Sequence, residues 1–88
     1  MSWKIVFTKD AQKDFEKVKT SKYEAKVKEL LHYLREDPYK IPPPFEKLVG
    51  SLHGFISRRI NRKHRLVYQI IETQRTIMAL SMWSHYGD

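Results

Sequence analysis

Eighty-eight residues with no cysteine and a formal charge of +7 exclude a disulfide-stapled scaffold and a Cys-based zinc site, and they favour a polyanionic partner. Apolar content of 41%, with 12% aromatics, is enough for a compact core, so residues 1–88 are expected to fold as one domain. No apolar run approaches the ~20 residues that span a bilayer, and MSWKIVFTKD lacks a signal peptide's apolar core and cleavage site; the expected location is the cytoplasm.

Trp3, Ile5 and Phe7 alternate with Lys4, Val6 and Thr8, a short strand with one strongly apolar face. Thr8 is placed to cap a helix that runs to about Lys19, in which Ala11, Phe15 and Val18 recur at helical spacing. Ser21-Lys22-Tyr23-Glu24 has the form of a capping box and predicts a second helix, with Tyr23, Val27, Leu30, Leu31 and Leu34 as its buried stripe. Asp37-Pro38 ends it, because proline disfavours helical geometry in the residue before it. The short turn between the helices makes them an antiparallel hairpin.

Residues 38–44, PYKIPPP, are poor in backbone donors and are expected to run extended over the surface. Glu46-Lys47-Leu48 follows, closing on a short turn at Gly50. Three strands are then predicted at roughly 54–61, 64–72 and 75–84, with loops at 61–63 and 72–74. The order β-α-α-β-β-β is an α+β layout, a helical hairpin packed on a mostly antiparallel four-stranded sheet.

Between Lys47 and Ile71 stand six cations (Lys47, Arg58, Arg59, Arg62, Lys63, Arg65) and no carboxylate. Strand parity puts Phe55, Ser57 and Arg59 on one face and Ile56, Arg58 and Ile60 on the other; on the next strand Arg65, Val67 and Gln69 oppose His64, Leu66 and Tyr68. A three-residue loop at 61–63 sets Arg59 across from Arg65, whereas a two-residue loop separates them. Like charges directly opposite are destabilising unless an anion sits between them, so the pair would form a phosphate site. On the last strand, unbroken alternation would put Ile77, Ala79, Ser81, Trp83 and His85 on one face. A basic sheet surface with a lone carboxylate, Glu46, at its start and an imidazole, His85, near the chain's end suggests cleavage of RNA rather than binding alone. The bland alternatives are a solvated basic face for Arg58 and Arg62, a packed His64, and incidental His32 and His53. The four histidines have no H-x-x-x-H spacing and no cysteine company, so no metal site is expected.

Glu46, Ser57-Arg58-Arg59-Ile60, His64-Arg65-Leu66-Val67-Tyr68 and His85-Tyr86 together resemble the YoeB/Txe branch of the RelE/ParE toxin–antitoxin superfamily, over nearly the whole chain. The resemblance implies a RelE-like, microbial-ribonuclease-like fold and a ribosome-dependent mRNA endoribonuclease that needs no cofactor or metal. It also implies an acidic, partly disordered antitoxin of the YefM/Axe type as partner, and the ribosome with mRNA in its decoding site. By the same resemblance Glu46 is the general base, Arg65 the phosphorane stabiliser, His85 the general acid and Tyr86 a base-stacking or phosphate-bonding group. Arg59, Lys47, Arg58, Arg62 and Lys63 are then candidate substrate contacts. Better-known members carry a lysine three residues after the glutamate; here that position is Val49, and Lys47 is the candidate replacement. Two rivals remain: a catalytically idle RNA-binding or antitoxin-partner module, and a same-fold toxin aimed at a topoisomerase.

Overall fold

The computed structural model describes residues 2–84. Strand β1 (Lys4–Phe7) leads into helix α1 (Lys9–Lys19) and helix α2 (Glu24–Glu36). A long loop reaches β2 (Glu46–Lys47), and β3 (Ile56–Arg59), β4 (Arg65–Ile71) and β5 (Thr76–Ser84) follow. The sheet therefore has five strands rather than four, in the order β1-β5-β4-β3-β2, with β1 parallel to β5 and every other pair antiparallel. The extra strand is the two-residue Glu46–Lys47 segment, too short to announce itself by alternation.

Thr8 caps α1 as its sequence suggests, its hydroxyl accepting from the Ala11 amide at 3.1 Å. The capping box at Ser21 does not form. Ser21 Oγ instead donates to the Val18 carbonyl and accepts from the Tyr23 amide, tying off the end of α1, and α2 begins two residues later than the box would place it, at Glu24, without a side-chain cap. Both helices lie on one sheet face. Val18, Val27, Leu30 and Leu34 meet Leu66, Tyr68, Ile77 and Met82, all fully buried. Burial on this scale is the principal favourable term holding the sandwich together.

The last strand departs from simple alternation. Register shifts between the Arg65, Val67 and Tyr68 pairings give Tyr68↔Ala79 but Val67↔Ser81. One extra residue on β5 thus moves Ser81 to the face opposite Ala79 and puts Met82 in the core, and a second falls between the Val67↔Ser81 and Arg65↔Ser84 pairs. Two side chains from the start of the chain serve the irregular backbone: Thr8 Oγ1 donates to the Leu80 carbonyl at 2.9 Å, and Asp14 Oδ2 accepts from the Met82 amide at 3.0 Å. Trp83 turns to the helix side, where it stacks on His64 with centroids 4.0 Å apart and lies near Tyr23.

Candidate active site

The sheet face away from the helices is built by one tight loop and one short edge strand. The loop at residues 61–63 closes on Asn61, whose side-chain oxygen accepts from the amides of Lys63 (2.7 Å) and His64 (2.9 Å), the local bonding that makes asparagine a turn residue. That three-residue loop fixes the β3–β4 register with Arg59 directly across from Arg65 and Ser57 across from Val67. Strand β2 then sets Glu46 across from Ser57. Because directly paired residues share a face, Glu46, Ser57, Val67 and Ser81 form one row across four strands. The adjacent row is Arg59, Arg65 and, by backbone pairing, Ser84.

The middle of the first row is small and closed to solvent: Ser57, Val67 and Ser81 are at most 3% exposed. It makes a floor with the carboxylate at the β2 edge and the two guanidiniums beside it. Direct cross-strand neighbours lie about 5 Å apart at Cβ and diagonal ones about 7–8 Å, so Glu46 and Arg59 stand within side-chain reach of one anion. A cleft of 210 Å³ lies between them, lined by Pro44, Phe45, Glu46, Ser57 and Arg59. Arg65 is half-buried, with Nη1 donating to the Asn61 carbonyl at 3.4 Å, while Arg59 is exposed. Two guanidiniums facing each other beside a single carboxylate are suited to a phosphodiester, whose paired oxygens match the planar fork.

Other expected contacts fall elsewhere. Lys47 pairs with Ile56, so it points to the opposite face from Glu46 and lines a separate 330 Å³ cavity with Tyr39, Leu48, Phe55 and Ile70. As neighbours on one strand, Glu46 and Lys47 cannot serve one site, and Lys47 does not replace the lysine missing at Val49, itself exposed. Arg62 and Lys63 are exposed at the tip of the 61–63 loop, beside Tyr23, Asn61 and His64. His85 and Tyr86 lie outside the described residues.

Arg58, expected on a solvated basic face or against substrate, is buried. Neither solvated nor facing a substrate, it is 1% exposed on the helix side of β3, between Ile56 and Ile60. Its Nε donates to the Tyr68 hydroxyl at 2.8 Å; Nη2 donates to the carbonyls of Pro38 and Lys40, both at 3.0 Å; Nη1 donates to the Pro43 carbonyl. Phe45 lays its ring 5.0 Å from the guanidinium carbon. Burial pushes the Tyr68 phenol above its ordinary pKa, and the bond and charge of Arg58 pull partly the other way. Its inward orientation was legible in the sequence, since Arg58 shares parity with Ile56 and Ile60.

A five-stranded sheet in this order, with a helical hairpin on one face, is the fold of the RelE-like toxins. Escherichia coli YafQ, in the DinJ–YafQ toxin–antitoxin complex, superposes with a TM-score of 0.79 at 19% identity, covering 97% of this chain and 94% of its own. The chain belongs to the YoeB-like toxins of bacterial type II toxin–antitoxin systems, whose family model matches residues 7–86. Toxin YoeB of Streptomyces coelicolor is 34% identical over 77 residues, 85% of this chain and 92% of that protein. Among solved structures, the YoeB/ParE toxin from Agrobacterium tumefaciens has a TM-score of 0.85 at 26% identity, covering 94% of this chain and 99% of its own. YoeB in its heterotetrameric complex with YefM from Staphylococcus aureus has a TM-score of 0.80 at 30% identity, with 98% and 100% covered.

Proposed function

We propose that this toxin is a metal-independent endoribonuclease that cuts mRNA on the ribosome, in the cytoplasm, and that an acidic antitoxin of the YefM type holds it inactive. The observation that carries the reading is the register that sets Arg59 across from Arg65 with Glu46 on the same sheet face, beside an open cleft. Glu46 takes the proton of the ribose 2′-OH as that oxygen attacks phosphorus. The guanidiniums of Arg65 and Arg59 hold the charge that develops on the phosphorane oxygens. The P–O5′ bond breaks and the 5′-oxygen takes a proton from His85, an imidazole being the side chain whose ordinary pKa lies nearest neutrality. Tyr86 stacks on a base or bonds the phosphate.

Induction in a bacterial host with primer extension on a reporter mRNA tests this. Breaks within codons are expected, lost on Glu46→Ala or His85→Ala and prevented by co-expressed antitoxin. Intact mRNA accompanied by DNA damage would instead assign the toxin to a topoisomerase.

A further inference from the structure

Arg58 makes a set of contacts that the chemistry above does not use. We infer that it is a positioning residue: it clamps the proline-rich loop of residues 38–44 and thereby fixes the carboxylate of Glu46 in the cleft. The inference rests on Glu46 acting as the base.

A buried cation is costly unless its donors are satisfied, and no carboxylate among the described residues lies within ion-pair range of Arg58. What satisfies it is one loop. Pro38, Pro42, Pro43 and Pro44 have no amide hydrogen, so this segment cannot knit itself into a ladder, yet each residue still carries a carbonyl that needs a donor. Arg58 supplies donors to the carbonyls of residues 38, 40 and 43, near both ends and the middle of the loop. Its Nε is meanwhile held by Tyr68, fully buried at the centre of β4. The clamp is therefore anchored in the sheet.

The connection to Glu46 is short. Pro43 accepts from Arg58, Phe45 covers the guanidinium, and Glu46 is next in the chain. Strand β2 is two residues long, so its own pairing gives Glu46 little support. Lysine would keep the charge at this position but cannot reproduce a planar fork reaching three carbonyls and a phenol. The two adjacent arginines of β3 thus divide the work: Arg58, facing in, holds the base, and Arg59, facing out, meets the substrate.

The test is a double-mutant cycle in single-turnover cleavage of ribosome-bound mRNA, using Arg58→Lys, Glu46→Gln and the double variant, with thermal unfolding of each. Arg58→Lys should slow the cleavage step about 100-fold, the loss expected from a misplaced catalytic group, and leave the half-saturating toxin concentration unchanged. The double variant should be no slower than Glu46→Gln alone, because a positioning residue has nothing left to position. Arg58→Lys cleaving at the wild-type rate while Glu46→Gln is inactive would overturn the inference alone. So would a full Arg58→Lys penalty persisting in the Glu46→Gln background, or a penalty confined to half-saturation. Wild-type cleavage by Glu46→Gln would remove the base assignment, and the positioning role with it. Should Arg58→Lys lack a cooperative unfolding transition, Tyr68→Phe decides by the same pattern at smaller amplitude.

Discussion

Arg58 and Arg59 are neighbours in the chain, yet one is fully buried and the other exposed, because side chains alternate across a strand. The same alternation separates Glu46 from Lys47. Strand parity separated Arg59 from Arg58 in the sequence but left its register with Arg65 hanging on the length of the 61–63 loop, which the bonds to the Asn61 side chain fix at three residues. The clamp on Arg58 was not legible, because its acceptors are backbone carbonyls 15 to 20 residues away and carry no side-chain signature. A second tether holds the start of the same loop: the Tyr39 hydroxyl donates to Glu72 at the β4–β5 turn. That bond, reinforced by partial burial and the negative charge of Glu72, pushes the phenol up to about 12. The fold favours the neutral phenol, so this contribution is whole below pH 10, the ordinary value, and is lost as pH rises through about 12. Ultraviolet titration should show one tyrosine ionising at about 12 that returns toward its ordinary value in Glu72→Gln; an unchanged titration curve would mean the tether is absent in solution.

At the level of elements, β5 decides the geometry of the outer face. It pairs with β1 on one side and β4 on the other, and the first of its two extra residues moves Ser81 onto the floor beside Val67. The alternation expected through residues 77–85 missed this shift because a bulge is set by its partners. Here those are Thr8 and Asp14, 72 and 68 residues away in sequence. The helices, by contrast, were readable from local spacing, apart from the cap at Ser21, where the hydroxyl serves the end of α1. Asp14→Ala leaves the Met82 amide without its acceptor and should cost about 1–2 kcal/mol in urea unfolding at unchanged m. It should also slow RNA cleavage, by releasing the strand that leads to His85. A stability change below a few tenths of a kcal/mol would mean that water replaces the carboxylate without loss.

Taken whole, the molecule places its apolar work on one sheet face and its charge on the other. Two helices and the clamped loop cover the first; Glu46, Arg59 and Arg65 occupy the second. Facing arginines lower the stability of the free protein, and an anion between them removes the repulsion. A net charge of +7 then favours approach to a polyanion such as ribosomal RNA. On the proposed function this face cuts a phosphodiester with the substrate's own 2′-OH as nucleophile. End-group analysis of the RNA products tests it most directly. The expected fragments carry a 2′,3′-cyclic phosphate, or its 3′-phosphate hydrolysis product, on one side and a 5′-hydroxyl on the other, and Arg65→Ala should abolish them. Products ending in a 3′-hydroxyl and a 5′-phosphate would contradict it, since they require an external water as nucleophile.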